Sequence, residues 1–443
     1  MPRLWRNILF AIFALGFFIS APLVVLYTAG YRYQFGSMQI VKAGVLSVTT
    51  TPKGATVYIN GIVTEKKTPA VIDNIFPGKV VVRIEKPGYS SWEKTLVVES
   101  GQSTFVPNAT LFLDGTPAQA VNQTSVLFTT PKSATRFAYL VENGATLEAW
   151  IKDESIAQTK PLYTQPLRAK STYTLSWSAD AQFLLLTETA AKNTYTILRV
   201  SDGAVITLPA TSVARAWWNT HSGHVLFYRV GSELRAFGID ADVAFPKNTS
   251  VDDAQIKQGD MLVVQSGEQS VVAHMNPEGV ANIIAYLPRG TYTFVTSPAP
   301  YIALEDTSRN HLILIDPNQK NPLLLNEEVR FFEWSPNQDQ LVFSNGFDIN
   351  LFSPHSGERT TITRFSETIT DLIWYPIGNE LLYSKQNTLY SLELDRRDVR
   401  NEPVLASDVL IHTMWVSKNG ETLFFFGQRG SEPATIFERR LQK

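Results

Sequence analysis

Cysteine is missing from all 443 residues. That absence removes a disulfide framework, a thiolate metal site, a cysteine nucleophile and a lipidated cysteine anchor at once, and it fits either side of a membrane. A basic excess is lacking too. The 39 Lys and Arg against 41 Asp and Glu leave a formal charge of -2, which argues against a nucleic-acid binder working through a broad basic surface. Histidine is scarce, and of the six only His221 and His224 lie close together, in WWNTHSGHVLF. That text reads as a turn between strands with both rings in solvent, and no further metal ligand can be assigned to it. There is no G-x-x-x-x-G-K-[ST] phosphate loop and no G-x-S-x-G nucleophile turn. Asp240, Asp242, Asp252, Asp253 and Asp260 lack the spacing and glycine of a calcium loop and read as a solvated acidic region. No catalytic residue, cofactor site or metal site is expected.

Charge is also absent from the run Ile8 to Tyr27, ILFAIFALGFFISAPLVVLY. Twenty residues of helix span roughly 30 Å, the thickness of a bilayer's hydrocarbon core. Arg3, Arg6 and the terminal amine precede the run, while Arg32 and Lys42 follow more sparsely. The positive-inside rule then expects a cytoplasmic tail over 1–7, a transmembrane helix over 8–29 and the rest outside the cytoplasm, joined by a juxtamembrane linker over 30–43. Tyr27, Tyr31 and Tyr33 would lie at or near the outer interface. A cleaved signal peptide is the competing reading, but the run is long for one, and Thr28-Ala29-Gly30 makes a poor cleavage site. Pro22 is compatible with a membrane helix.

After Lys42 the text changes to short strands bounded by turn residues. GVLSVTT leads to TPKGATVYING, in which Val57 and Ile59 alternate with Thr56, Tyr58 and Asn60 before the turn Asn60-Gly61. Thr68-Pro69, AVIDNI, Pro77-Gly78, KVVVRIEK, Pro87-Gly88-Tyr89 and WEKTLVVES follow. Strands this short, punctuated this way, predict a small antiparallel β-sandwich.

These residues resemble a PEGA domain over about 44–113. The name-giving tetrapeptide stands as Pro52-Lys53-Gly54-Ala55, and the likeness continues through Asn60, Gly61, Pro69, Pro77, Gly78, Gly88, Tyr89 and Trp92. Lys53 departs from the Glu of the name, at a position expected to be exposed. The resemblance implies an extracytoplasmic sandwich of envelope proteins without known catalytic residues. It makes the motif residues structural: Gly54 and Ala55 are small where the chain turns into a strand, and Pro52 stops further pairing. YTAGYRYQFG, between helix and sandwich, is similar to the linker of envelope proteins with this arrangement.

From Asp114 onward no helical period is sustained, and tryptophan marks a repeat. Trp177 to Trp218 is 41 residues, Trp334 to Trp374 is 40 and Trp374 to Trp415 is 41, while the 116 from Trp218 to Trp334 approximate three steps. LSWSADAQFLLLTE, FEWSPNQDQLVFSN, LIWYPIGNELLYSK and TMWVSKNGETLFFF share one order: apolar strand, Trp, polar turn, apolar strand. A period near forty with several strands per unit predicts a β-propeller over 114–443. Pro131, Trp177, Trp218, Gln255, Phe294, Trp334, Trp374 and Trp415 are its anchors, giving seven or eight blades, with closure assigned to residues near Val121 to Thr129. The W-S-P-[DN]-G-like turns resemble TolB-like and WD-repeat-like propellers. Trp177, Trp334, Trp374 and Trp415 are expected to pack blades. Trp217 and Trp218, neighbours on a strand, face opposite ways, so one is expected to be open to a partner.

The fold class expected is therefore all-β with one N-terminal transmembrane helix, a small sandwich and a seven- or eight-bladed propeller. The function expected is non-enzymatic: the sandwich spaces a propeller that binds an envelope protein or a cell-wall or surface polymer, with no nucleic-acid partner. Two alternatives stay open, a propeller enzyme cleaving envelope glycans with carboxylates brought together at the channel, and a structural surface-layer element.

Overall fold

The computed structural model describes residues 3–34, 38–121, 123–131, 136–153, 160–221, 223–243, 245–246, 251–276 and 278–443. Phe35, Gly36 and Ser37 of the expected linker, and Met1 and Pro2 of the expected tail, lie outside them. The apolar run forms α1 (Arg3–Thr28), which begins ahead of the expected Ile8 and leaves Trp5–Thr28 wholly unburied by the rest of the chain. The expected linker folds instead into a hairpin, β1 (Tyr31–Gln34) and β2 (Gln39–Lys42), with Tyr33 opposite Ile40. Arg32 fixes its angle to α1. The guanidinium donates to the carbonyls of Tyr27 (2.7 Å) and Tyr31 (2.8 Å) and to Asn74 Oδ1 (2.6 Å), satisfying a carbonyl at the helix end that α1 cannot pair itself.

The sandwich comprises β3 (Gly44–Thr51), β4 (Thr56–Ile59), β5 (Ile62–Lys67), β6 (Ala70–Ile75), β7 (Gly78–Glu85), β8 (Trp92–Val98) and β9 (Ser103–Thr110). Sheets ordered β6-β3-β9 and β5-β4-β7-β8 face each other over a core that includes Leu46, Val57, Val82, Ile84 and Trp92. It is not wholly antiparallel as expected, because β3 and β9 pair in parallel. Asn60 and Gly61 both hold positive φ, which the hairpin turn needs, and Asn60 Oδ1 accepts from Val81 N–H at 2.9 Å. At the opposite end Gly54 takes φ +82° and Ala55 is fully buried. There Thr68 accepts from Gly54 N–H and Ala55 N–H, which ties the name-giving tetrapeptide to the Thr68-Pro69 turn. Lys53 is exposed, as its departure from the family pattern led us to expect.

Among the described residues the remaining chain makes eight further sheets, over 125–166, 172–206, 215–238, 253–287, 292–328, 331–364, 369–406 and 410–440. We number these blades 1 to 8. In each, three or four antiparallel strands follow one another from the inside out, and the first strands of successive blades lie side by side. The second strands sit between two neighbouring blades, which is why runs such as LVFS are buried on both faces.

Closure differs from the expectation. Ser125–Thr129 is the innermost strand of blade 1, whereas β10 (Ala118–Gln119) completes blade 8 by pairing with Glu438 and Phe437. The chain's first and last propeller strands thus share one sheet. Phe137 of blade 1 packs against Phe424 (5.1 Å) and Trp415 (6.4 Å) of blade 8, so the ring is shut by core as well as by pairing. A buried apolar cluster fills each of the eight junctions.

Candidate functional site

The repeated phrase has a physical role at the junctions. The indole N–H of Trp177, Trp218 and Trp374 donates to the carbonyl of Thr129, Ser176 and Glu333 respectively, at 3.1–3.2 Å, each on the innermost strand of the preceding blade. Trp334 and Trp415 sit in junction clusters as well. A serine one or two residues after the tryptophan closes the turn. Ser178, Ser335 and Ser417 are buried, and each hydroxyl accepts from the backbone N–H five residues on while donating to a turn Asp or Asn.

Carboxylates form a second repeated link. Asp253 accepts from Phe294 N–H (2.9 Å), Glu333 from Trp374 N–H (2.6 Å) and Asp371 from Met414 N–H (2.7 Å), each reaching from one innermost strand to the next. Burial pushes Asp253 and Asp371 up to about 6. These acids join blades rather than converge on a reaction centre. Among the described residues no group of three or more His, Asp or Glu is gathered as a metal site. Lys257, lowered to about 8 by burial, donates to the carbonyls of Ser297 (2.9 Å), Pro298 (3.2 Å) and Tyr301, which occupies it structurally between blades 4 and 5.

The histidines and the tryptophan pair correct two expectations. His224 is not a free turn residue: its ring bridges Asp180 (2.6 Å) in blade 2 and Asp240 after blade 3. Burial works against its charge, but both carboxylates outweigh that and raise its pKa above 6.5. His221 bonds the Ser297 carbonyl at 2.8 Å. Trp218 is buried and packs a junction, and Trp217 is half-buried against Phe227 with the Arg215 guanidinium 4.3 Å from its ring. Neither is the open contact expected of that pair, because adjacent blades cover both faces of the strand. Of the other acids in the region read as solvated, Asp242 and Asp260 are exposed while Asp253 is buried.

The feature missed in the sequence is the joint between sandwich and propeller. The edge strand β8 lies along the loop after the third strand of blade 7. Glu93 N–H donates to Asn401 Oδ1 (3.2 Å) and Thr95 N–H to Asp398 Oδ2 (2.6 Å), so propeller side chains cap an open sheet edge. Between them the fully buried Lys94 ammonium meets Glu393 (2.9 Å) and Asp395 (3.6 Å), and Trp92 Nε1 donates to the other Glu393 oxygen at 3.0 Å. Beyond the sandwich, Phe112 enters the cluster between blades 7 and 8, 5.2 Å edge-to-face from Tyr375. Tyr375 stands where other blades carry the turn serine, and its hydroxyl donates to Gly420 O at 2.9 Å. Glu380 lies beneath, close to Gly378 and to Thr110 of β9. Burial, assisted by Glu393, pushes its carboxyl up to about 8. The departure from W-S in LIWYPIGNE was the legible sign of this joint.

The sandwich therefore covers the loops after the first and third strands of blade 7, and Leu111 and Leu113, just past its last strand, bond Gln442 and Leu441 at the end of blade 8. The opposite face, formed by the loops between second and third strands and between blades, is uncovered by the described residues. It carries Arg168–Glu188, Arg309–Asp306, Arg364–Asp348 and Lys385–Glu367 pairs and the exposed Phe347. A cavity of about 500 Å³ opens beside the closing strand, lined by Gly115, Thr116, Val404, Ser407, Asp408 and Arg429 among others.

These features define a closed eight-bladed propeller locked onto a sandwich behind a membrane-length apolar helix. Residues 43–111 match the PEGA domain family. No curated protein sequence matches the chain. Solved structures similar to it include a eukaryotic initiation factor (11% identity, 73% of this chain and 87% of that one, TM-score 0.49). Saccharomyces cerevisiae Sqt1 is similar at 10% identity over 74% of this chain and 98% of that one, TM-score 0.47. The β-propeller domain of Myceliophteria thermophila Cps50 (Swd1) is similar at 13% identity over 72% and 97%, TM-score 0.41.

Proposed function

We propose that the chain is a membrane-anchored, extracytoplasmic binding platform without catalytic activity, in which the sandwich holds the propeller at a fixed attitude and the uncovered face receives a protein or envelope polymer. One observation carries this reading: the sandwich covers one face of the propeller at blade 7 and leaves the other open. The polar pairs and exposed Phe347 of that open face suit a partner with mixed polar and apolar contacts. The innermost-strand carboxylates Asp253, Glu333 and Asp371 speak against the hydrolase alternative, because each is already engaged by a backbone N–H of the next blade.

Crosslinking in cells followed by affinity recovery tests it, comparing the full chain with a full-length variant carrying Arg168→Glu and Arg364→Glu. Partners lost in the variant support the open face as the binding surface. The same partners recovered from both contradict it, and hydrolysis of an envelope glycan by the purified chain would overturn the non-enzymatic reading.

A further inference from the structure

Exposed apolar side chains are unevenly placed. Outside α1, eleven large ones lie among the described residues of the hairpin and sandwich and ten among those of the far longer propeller. On the hairpin they share a face. Tyr31, Tyr33 and Ile40 point to the side facing away from Arg32, whose guanidinium is drawn to α1 and Asn74 on the other. Met38, beside them at the start of β2, is 80% exposed.

The strand registers place further members at the same end of the sandwich. Gly44, which follows the hairpin, pairs with Ile75, so the adjoining Phe76 lies at the hairpin's base. Gly78 pairs with Val98, and Ser100 bonds the Lys42 carbonyl, which sets the start of β7 at that end. Asn60 bonds Val81 N–H, so the β4–β5 turn projects toward it as well, carrying Ile62 (73% exposed) and Val63. The end facing the propeller shows the reverse: Trp92, Lys94 and Phe112 are covered.

We infer that this α1-proximal end, with Tyr33, Met38, Ile40, Ile62, Val63 and Phe76, is seated in the interfacial layer of the same bilayer that α1 crosses. The bilayer is the occupant because the apolar face begins three residues after the end of an unburied helix of membrane-spanning length. Tyrosine and aliphatic side chains suit the headgroup boundary, and the exposed Lys42, opposite Tyr31 on the same face, is a cation that headgroup phosphates accept. The sandwich then rests on the membrane instead of standing off it. This inference rests on the anchor reading proposed above.

The absence of cysteine makes the test direct. Single substitutions Phe18→Cys, Met38→Cys, Ile40→Cys, Ile62→Cys and Val280→Cys in the full chain are spin-labelled in lipid nanodiscs, with thermal unfolding confirming that each is folded. Collision with lipid-dissolved oxygen is compared with collision with a water-soluble nickel chelate. The expected result is an oxygen preference at positions 38, 40 and 62 several-fold above that at 280. Positions 38, 40 and 62 as water-accessible as 280, with 18 in lipid, would overturn the seating while leaving the anchor intact. Position 18 in water would overturn the anchor and the seating with it.

Discussion

The Lys94 ammonium, on a sandwich strand, lies 2.9 Å from the Glu393 carboxylate at the end of the third strand of blade 7, with its side chain fully buried. An ion pair taken out of water is a weak source of net stability but a strict one, because removing one partner strands the other. Here the stranded charge would sit between two folding units. Lys94→Ala should cost about 3–5 kcal/mol by leaving Glu393 uncompensated, and Lys94→Met with Glu393→Gln should recover much of it. Denaturant unfolding of the three proteins checks this. The joint is contradicted if Lys94→Ala unfolds at the parent's midpoint.

Glu380 lies deep in the same joint, with its carboxyl pushed up to about 8 from an ordinary 4.5. The folded protein therefore holds a proton that the unfolded chain releases, and stability falls as pH rises from about 4.5 to about 8. Glu380→Gln should remove that dependence, raising the melting temperature at pH 8 and leaving it nearly unchanged near the low end of the window. Melting curves across the window decide, and equal shifts at both ends would show that the carboxyl is not buried as a neutral acid.

His224 gives the opposite slope. Its pKa is raised above 6.5 by the carboxylates of Asp180 and Asp240 against the effect of burial. Its contribution is complete below about 6.5 and is lost as pH rises through the folded value. Asp180 is lowered despite burial, by hydrogen bonds from Ser178, Gln182 and His224, so its share is lost only as pH falls below the ordinary carboxylate range. His224→Asn should therefore destabilise more at pH 6 than at pH 9. An equal effect at both values would mean that the ring contributes through packing on Phe183 alone.

Asp371 holds blade 8 through Met414 N–H at 2.7 Å. Asp371→Ala leaves that buried donor unpaired and should cost about 1–3 kcal/mol, while Asp371→Asn keeps an acceptor and should cost less. Hydrogen exchange at Met414 reports the link directly, and unchanged protection in the alanine variant would remove it from the account.

Much of this architecture was legible because repetition and turn chemistry are local. Trp177, Trp218, Trp334, Trp374 and Trp415 marked innermost strands, and Gln255 and Phe294 marked two more that lack the tryptophan. Pro131, the weakest anchor, follows the innermost strand of blade 1. Asn60-Gly61 announced its turn. What escaped were relations between distant segments. Two residues as short as Ala118–Gln119 carry no strand signal of their own and become a strand only because Phe437 and Glu438 offer an edge. Trp217 looked free because its cover comes from the next blade. Lys94 read as one polar residue of an alternating strand, and nothing near it in sequence reveals Glu393, 299 positions on.

Photo-crosslinking in cells tests the central claim most directly, with a photoreactive side chain placed at Phe347, on the uncovered face, or at Ile377, beside the sandwich. The account predicts specific adducts from position 347 and none from 377. Adducts arising at 377 alone, or the same adducts from both positions, would contradict a platform that presents its free face to a partner.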